Sequence, residues 1–333
     1  LKFGIREGGI MRVAVIGAGA MGSLVSYLLH AGGMEVVLYE SREKREAEIR
    51  ANGVRLRGAV AGRESLGVRS PGESASPFDF IILAVAAGAG GDALRPLSPF
   101  VHRDTLYLSL QEGSAVEELA QLVGDSRVGG AVALASAMET STGEVEVEEF
   151  RSLVMGGFIP EGSPGFSPLV EAVNAVCPGK ALLTTGLDKE IWRRLEAAAA
   201  VSGLCAVLGA VPEEIKGRDE VDALCREAAE ECRRAAASTG PETFPPGSPW
   251  EDAVWRCLKP PMLRDLEAAR GTEVEYLSGY IVGRSRARGR SAPVHSAMCS
   301  LVKEMESGRR RPGGGSLKEL QRRVREERGM ALQ

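Results

Sequence analysis

The densest group of residues able to do chemistry lies near the start of the chain, at Gly17-Ala18-Gly19-Ala20-Met21-Gly22. The spacing G-x-G-x-x-G suits a backbone that holds a pyrophosphate. Gly17 permits a tight turn, Gly19 removes the side chain that would keep a phosphate away, and Gly22 lets the next helix pack closely on the preceding strand. The amides that open this helix, from Ala20 and Met21 onward, then face the anion. Glu40 follows Gly22 by 18 residues. That is close to the spacing of about 20 expected for a carboxylate that accepts a ribose hydroxyl. A carboxylate there repels a 2′-phosphate and favours NAD. Arg42, Lys44 and Arg45 follow at once; they either clamp such a phosphate or form the solvated first turn of a charged helix. The expected cofactor is NAD or NADP, with Glu40 tilting the reading to NAD. No Ser-His-Asp set stands out, and His30, His102 and His295 form no catalytic or metal pattern. His30 suits a helix end, where a cation meets the dipole. The six cysteines are scattered, with no C-x-x-C pair and no zinc spacing, so no metal is expected. Cys225 and Cys232 suit two core positions on one helix.

Positioning these residues requires alternating strands and helices. Residues 12–16 are an apolar run too short for a helix, which predicts a buried parallel strand. A helix with Leu24, Val25, Leu28 and Leu29 on one side follows and stops at Gly32-Gly33; residues 35–39 read as a second strand. A third, 80–85, ends in the small residues 86–91, so Ala84, Val85 and Ala86 are expected beside the cofactor. A helix at 91–97, a strand at 105–110, a helix at 114–122 and a strand at 128–134 are predicted next. Two extra strands, 144–149 and 152–155, precede a loop at 160–168. From residue 187 the pattern turns helical: 191–211, 221–237, 249–258, 262–269, 274–287 and 294–305. The expected fold is α/β, an N-terminal Rossmann-type doubly wound sheet followed by an all-helical domain. The expected division is an extension at 1–10, a dinucleotide-binding domain at 11–186, a helical substrate and dimerisation domain at 187–308, and a basic tail at 309–333.

Composition narrows the classes. The 333 residues are 44% hydrophobic and 26% charged, which excludes a wholly disordered chain. The formal net charge is −4 and argues against a generally basic nucleic-acid binder. No apolar run approaches the length of about 20 residues that spans a membrane. The nearest candidate, 197–211, is flanked by Glu196 and Glu213 and reads as a buried helix. Without a secretory pattern, reduced thiols in the cytoplasm are the simple expectation. The segment from Gly308 onward holds eight basic and three acidic residues. It suits a solvated appendage or an oligomer contact, or else an acidic partner or RNA.

Two segments carry a resemblance. Glu190-Ile191-Trp192-Arg193-Arg194-Leu195, opening the helical half, and Arg270-Gly271-Thr272-Glu273-Val274-Glu275-Tyr276-Leu277-Ser278-Gly279, near its end, resemble the ketopantoate reductase (2-dehydropantoate 2-reductase) family. Residues 288–304, with Pro293 and Val302-Lys303-Glu304, are similar too, so the resemblance covers nearly all of 11–306. It implies NAD(P)H-dependent reduction, usually with NADPH, of the ketone of 2-dehydropantoate, a step of pantothenate biosynthesis, by a cytoplasmic homodimer. In the family a lysine opens a helix, stabilises the carbonyl oxygen and protonates it. Asparagines at i+4 and i+8 share its face, and a glutamate on a later helix binds the substrate hydroxyl.

Carried over residue by residue, Glu273 matches that glutamate. Arg194 stands at the lysine, and Ala198 and Ser202 stand at the asparagines. A Gln-Asn-Gly loop is Gln111-Glu112-Gly113 here, a lysine after the fourth strand is Ala86, and a serine before Met262-Leu263 is Pro261. The implied catalytic set is Arg194, Glu273, Glu112 and Ser202. The implied cofactor set is Gly17, Gly19, Ala20, Met21, Gly22, Glu40, Arg42, Ala84, Val85, Ala86 and Gln111.

The departures change the chemistry. A guanidinium keeps its proton at any working pH, so it cannot replace an ammonium as acid. It can stabilise a developing alkoxide or clamp a carboxylate with two bonds. Proton donation would then fall to Glu112 or Glu273, if the two acids and Arg194 form one network. Bland alternatives are an Arg194–Glu190 surface pair, a solvated loop carboxylate at 112, and a dipole-favoured carboxylate at 273. Ala198 and Pro261 remove hydrogen-bonding groups that a polyol-like acid needs. The resulting expectation is a reductase acting on a 2-oxo acid. The alternatives are another carbonyl or an imine as substrate, or a nucleotide-binding protein without turnover.

Overall fold

The computed structural model describes residues 9–70, 76–111, 113–140, 143–236 and 259–330. The helix expected at 249–258, Cys257 and Glu112 lie outside the described residues. The chain divides into two compact units. The first runs to Gln111 and resumes over Ala115–Glu190, and the second takes residues 112–114 and the chain from Ile191 onward.

The first unit is built on one sheet. Its strands are β1 (Arg12–Ile16), β2 (Glu35–Tyr39), β3 (Val54–Gly58), β4 (Gly62–Glu64), β5 (Gly67–Arg69), β6 (Phe78–Leu83), β7 (Val101–Ser109), β8 (Val128–Glu139), β9 (Val145–Gly157) and β10 (Ala181–Leu183). The order across the sheet is β4-β3-β9-β8-β7-β6-β1-β2-β5, with β10 also on β9. From β5 to β8 every neighbouring pair is parallel. Val13, Ala14 and Val15 of β1 are all fully buried, as the unbroken apolar run requires of an interior strand. The chain leaves β1 towards β2 on one side and returns to β6 on the other. The ends of β1, β2 and β6 therefore frame a topological switch point, the place where α/β sheets bind ligands. Helices α1 (Ala20–Ala31), α2 (Glu43–Asn52), α3 (Gly90–Leu94), α4 (Ala115–Val123) and α5 (Ser167–Val176) complete the unit. Leu24, Leu28 and Leu29 of α1 are fully buried in its core.

Two expectations need correction here. The two strands expected at 144–149 and 152–155 are one strand, β9. It pairs antiparallel with β8 along a hairpin interrupted at Leu134/Ala135 and Ser136/Ala137. Each irregularity shifts the register and so breaks the alternation that marks a strand in sequence. The loop expected at 160–168 is a 3₁₀ turn, Pro160–Phe166, that runs directly into α5. Pro168 lies in the first turn of α5, where a proline has no hydrogen bond to lose. Strands β3, β4 and β5 fill the stretch between α2 and β6 with at most five residues each, too short for a strand alternation to stand out in the sequence.

The second unit is helical. Its elements are α6 (Leu187–Leu208, beginning in the first unit), α7 (Pro212–Ile215), α8 (Asp219–Ala236), α9 (Pro261–Glu267), a π-helical turn at Glu275–Gly279 continuing into α10 (Tyr280–Arg286), α11 (Pro293–Glu306) and α12 (Gly315–Met330). Cys232 on α8 is buried, and Cys225 is half-buried. The basic tail is not a solvated appendage. Leu317, Leu320 and Val324 of α12 lie in this unit's core. Arg323 pairs with Glu304 of α11 at 2.8 Å, and Arg328 pairs with Glu227 of α8. The spacing of three apolar residues carries the docking, and acidic residues of this chain answer those arginines.

Candidate active site

In the first unit the glycine loop joins β1 to α1. Gly17 has φ +105°, and its N–H donates to Tyr39 O of β2 at 2.8 Å. A Cβ there would also meet Ala84 O at 2.8 Å, so the turn passes tightly between the ends of β2 and β6. At Gly22 a Cβ would lie 1.9 Å from Gly17 O, which is the close helix–strand approach the motif requires. Gly19 differs, because a Cβ there would meet nothing within 4 Å. Its missing side chain leaves open space beside the loop. No side chain caps α1, so the first-turn amides are left to an anion. These features fit a pyrophosphate.

The loop is braced from behind. Ala18 O accepts from Ser23 Oγ at 3.1 Å and from Arg45 Nε at 3.3 Å. Arg45 is only 4% exposed. It donates further to Ser23 Oγ and to Gly143 O on the β8–β9 hairpin. Arg45 is therefore a structural latch and not the phosphate clamp its sequence position allowed, because its donors are turned inward. Lys44 is exposed.

At the end of β2, Glu40 is buried. Its Oε1 accepts from Arg42 N at 2.8 Å and Arg42 Nε at 3.2 Å, and its Oε2 accepts from Arg42 Nη2 at 2.8 Å. Burial pushes the carboxyl up, but these bonds and the adjacent charge outweigh it and hold Glu40 below the usual carboxylate range. The bond to Glu40 in turn raises the Arg42 guanidinium. Arg42 also reaches Glu139 at the end of β8, at 3.3 Å. Nothing in the local sequence around Glu139 marks it, since only the hairpin fold brings it to the end of β2.

Ala84 and Val85 are half-buried and Ala86 is exposed at the end of β6. Gln111 Nε2 donates to Ala86 O at 2.7 Å, and Gln111 N donates to Ser109 Oγ at 3.1 Å. Gln111 thus ties the loop after β7 to the loop after β6. The structure brings together the glycine loop, Glu40, Arg42, Ala84, Val85, Ala86 and Gln111 at one edge of one sheet.

In the second unit Arg194, Ala198 and Ser202 recur every four residues along α6 and so share a face. Arg194 is half-buried, whereas Ala198 and Ser202 are 5% and 7% exposed. Glu273 is half-buried and begins the segment that turns into α10. Thr272 Oγ1 accepts from Val274 N at 3.2 Å, and Glu273 O accepts from Tyr276 N and Leu277 N at 3.0 and 3.1 Å. The segment lies against α6 at two levels. Trp192 stacks on Tyr280 with ring centroids 5.3 Å apart, and a Cβ on Gly203 would meet Ser278 Oγ at 3.9 Å. Ser278 is held by His295, whose Nε2 faces Ala228 O at 3.0 Å. That carbonyl requires a proton on Nε2, so Nδ1 accepts from the Ser278 hydroxyl at 3.2 Å. Pro261 is exposed and opens α9.

Comparison with known proteins adds the following. Residues 13–159 match the family described as Ketopantoate reductase PanE/ApbA, and residues 187–306 match its C-terminal counterpart. The chain is 29% identical to a 2-dehydropantoate 2-reductase from Pyrococcus horikoshii, covering 92% of this chain and all of that protein. Among solved structures, a 2-dehydropantoate 2-reductase from Geobacter metallireducens has a TM-score of 0.79 at 24% identity, covering 88% of this chain and 99% of its own. A D-mandelate dehydrogenase with NADH and anilino(oxo)acetate has a TM-score of 0.76 at 20% identity, covering 90% of this chain and 99% of its own.

Proposed function

The chain belongs to the ketopantoate reductase family, whose members are oxidoreductases, and from that premise we propose that it reduces the carbonyl of a 2-oxo acid with NAD(P)H. The observation that carries this reading is the glycine loop, tight at Gly17 and Gly22 yet open at Gly19. Bound nicotinamide would supply the hydride. The first-turn amides of α1 bind the pyrophosphate, and Glu40 accepts a ribose hydroxyl, so NADH is the expected preference. Ala84, Val85 and Ala86 form the small-residue edge beside the nucleotide, and Gln111 fixes that edge. Arg194 holds negative charge, either the substrate carboxylate or the oxygen that becomes alkoxide. Because a guanidinium does not release its proton, the hydroxyl proton comes from Glu273 or from water that it orients. Glu112 is the other candidate donor. Ser202 offers the one hydroxyl on the Arg194 face of α6. The D-mandelate dehydrogenase of this fold has a ternary structure with NADH and anilino(oxo)acetate, a carboxylate next to a carbonyl, which supports a 2-oxo acid as the class, with 2-dehydropantoate as its first member. The assembly is proposed to be a homodimer.

A second reading is a nucleotide-binding protein without turnover. It is favoured by Arg194 and Ala198 standing where the family reaction uses lysine and asparagine. Anaerobic assays of the purified chain with NADH and NADPH, against 2-dehydropantoate and a panel of 2-oxo acids, separate the two. Nucleotide oxidation with any of these acids supports the reductase. Calorimetric binding of nucleotide with no turnover across the panel supports the second reading.

A further inference from the structure

The β8–β9 hairpin carries a residue that no motif indicates. Glu139 Oε2 accepts from both Nη1 and Nη2 of Arg42 at 3.3 Å. Its other oxygen lies 3.5 Å from Arg45 Nε. Arg42 is thereby held between two carboxylates, Glu139 from the hairpin and Glu40 from the end of β2. The hairpin is fixed in place by the buried Arg45, which bonds Gly143 O on the hairpin and Ala18 O in the glycine loop. Two segments far apart in sequence, one holding Glu40, Arg42 and Arg45 and the other Glu139 and Gly143, therefore meet beside the loop that would hold the nucleotide.

This arrangement has a definite charge. Three carboxylates, Glu40, Glu139 and Glu48, against two guanidiniums, Arg42 and Arg45, leave a local net charge of −1 by formal count. The three nitrogens of Arg42 all donate to Glu40 or Glu139. A phosphate bringing about −2 would have to displace one of these carboxylates and face the other. A ribose diol needs only an acceptor. Glu40 Oε2 accepts from Arg42 Nη2, which leaves it room for a second donor.

We propose that Glu139 is a cofactor-selecting residue: together with Glu40 it neutralises Arg42 and engages all three of its nitrogens, so that the ribose end of the nucleotide site takes the 2′-hydroxyl of NADH and rejects the 2′-phosphate of NADPH. The proposal rests on the nucleotide-binding reading above and deepens it. The test is calorimetric titration of the full chain and of Glu139→Gln with NADH and with NADPH, at one moderate ionic strength. The unaltered chain is expected to bind NADH more tightly. Glu139→Gln is expected to gain about three- to tenfold in NADPH affinity with NADH unchanged, the scale of one released, partly screened charge pair. Glu48→Gln removes a carboxylate 3.6 Å from Arg45 and outside the hydrogen-bonding of Arg42, and is expected to change neither affinity. An unchanged NADPH-to-NADH ratio in Glu139→Gln, equal loss of both, or tighter NADPH binding by the unaltered chain overturns the proposal. If the unaltered chain binds neither nucleotide, the glycine-loop reading itself fails and cofactor selection falls with it.

Discussion

At the scale of single residues, the three motif glycines have different jobs and predict different outcomes. Gly19→Ala adds a Cβ that meets no protein atom within 4 Å, at φ −67°, where alanine is comfortable. It is expected to leave the melting temperature unchanged while weakening nucleotide binding by about tenfold or more, because the methyl occupies the phosphate's space. Gly22→Ala would place its Cβ 1.9 Å from Gly17 O and must push α1 off the strand. It is expected to cost about 3 kcal/mol of stability or more. Denaturant titration alongside calorimetry separates the two; equal destabilisation by both would contradict the roles given to them. Arg194 makes a sharper chemical prediction. Arg194→Lys restores a group able to release a proton, and is expected to raise kcat for 2-dehydropantoate by about tenfold. Arg194→Ala is expected to lower kcat/KM by about 100-fold, read by nicotinamide absorbance.

At the scale of elements, the junction of α8, α11 and the π-turn holds two buried titratable groups with opposite effects. Glu231 of α8 accepts from Val294 N at 2.8 Å and His295 N at 3.0 Å, capping α11. Burial pushes its carboxyl up from 4.5 to about 7, against those two amide bonds. Burial pushes the neighbouring His295 down from 6.5 to about 4. Between pH 4.5 and 7 the unfolded chain releases the Glu231 proton while the fold keeps it, so this group's contribution falls as pH rises. Between pH 4 and 6.5 the unfolded chain binds a proton at His295 that the fold refuses, so that contribution rises with pH. The two slopes nearly cancel in the native protein across their shared range. Glu231→Gln is expected to expose the histidine's slope, with stability rising by about 3 kcal/mol between pH 4 and 6.5. His295→Gln is expected to expose the opposite slope. Urea titrations at a series of pH values check both, and parallel curves for all three proteins would overturn the account.

At the scale of the whole molecule, each unit has a core of its own, one around the sheet and one around α6, α8 and α11. The segment after Gly308 belongs to the second core. Leu317, Leu320 and Val324 are each less than a tenth exposed, and each contributes roughly 1.5–3 kcal/mol by burial. Truncation after Gly308 is therefore expected to lower the melting temperature by more than about 10 °C, followed by circular dichroism. A truncated chain that melts with the full-length protein would return this segment to the status of an appendage.

Much of this protein was legible in its sequence, for a physical reason. An interior parallel strand must be apolar on both faces, and a phosphate-binding turn must be glycine at fixed offsets. The run 12–16, the glycine loop and the switch to helices after residue 187 therefore announce themselves locally. The position of Glu40 at the end of β2 was legible too, because it follows from distance along one β-α-β unit. What depends on register and long-range contact was not. The hairpin irregularities hid the continuity of β9, and the first-turn proline hid α5. The inward turn of Arg45 and the placing of Glu139 on Arg42 have no local signature, and the apolar spacing of Leu317, Leu320 and Val324 marks a buried face of α12 without naming what it docks on, since each depends on which distant segment lies opposite. Charge written in a sequence fixes only what a side chain can pair with; the tertiary structure decides which partner it meets.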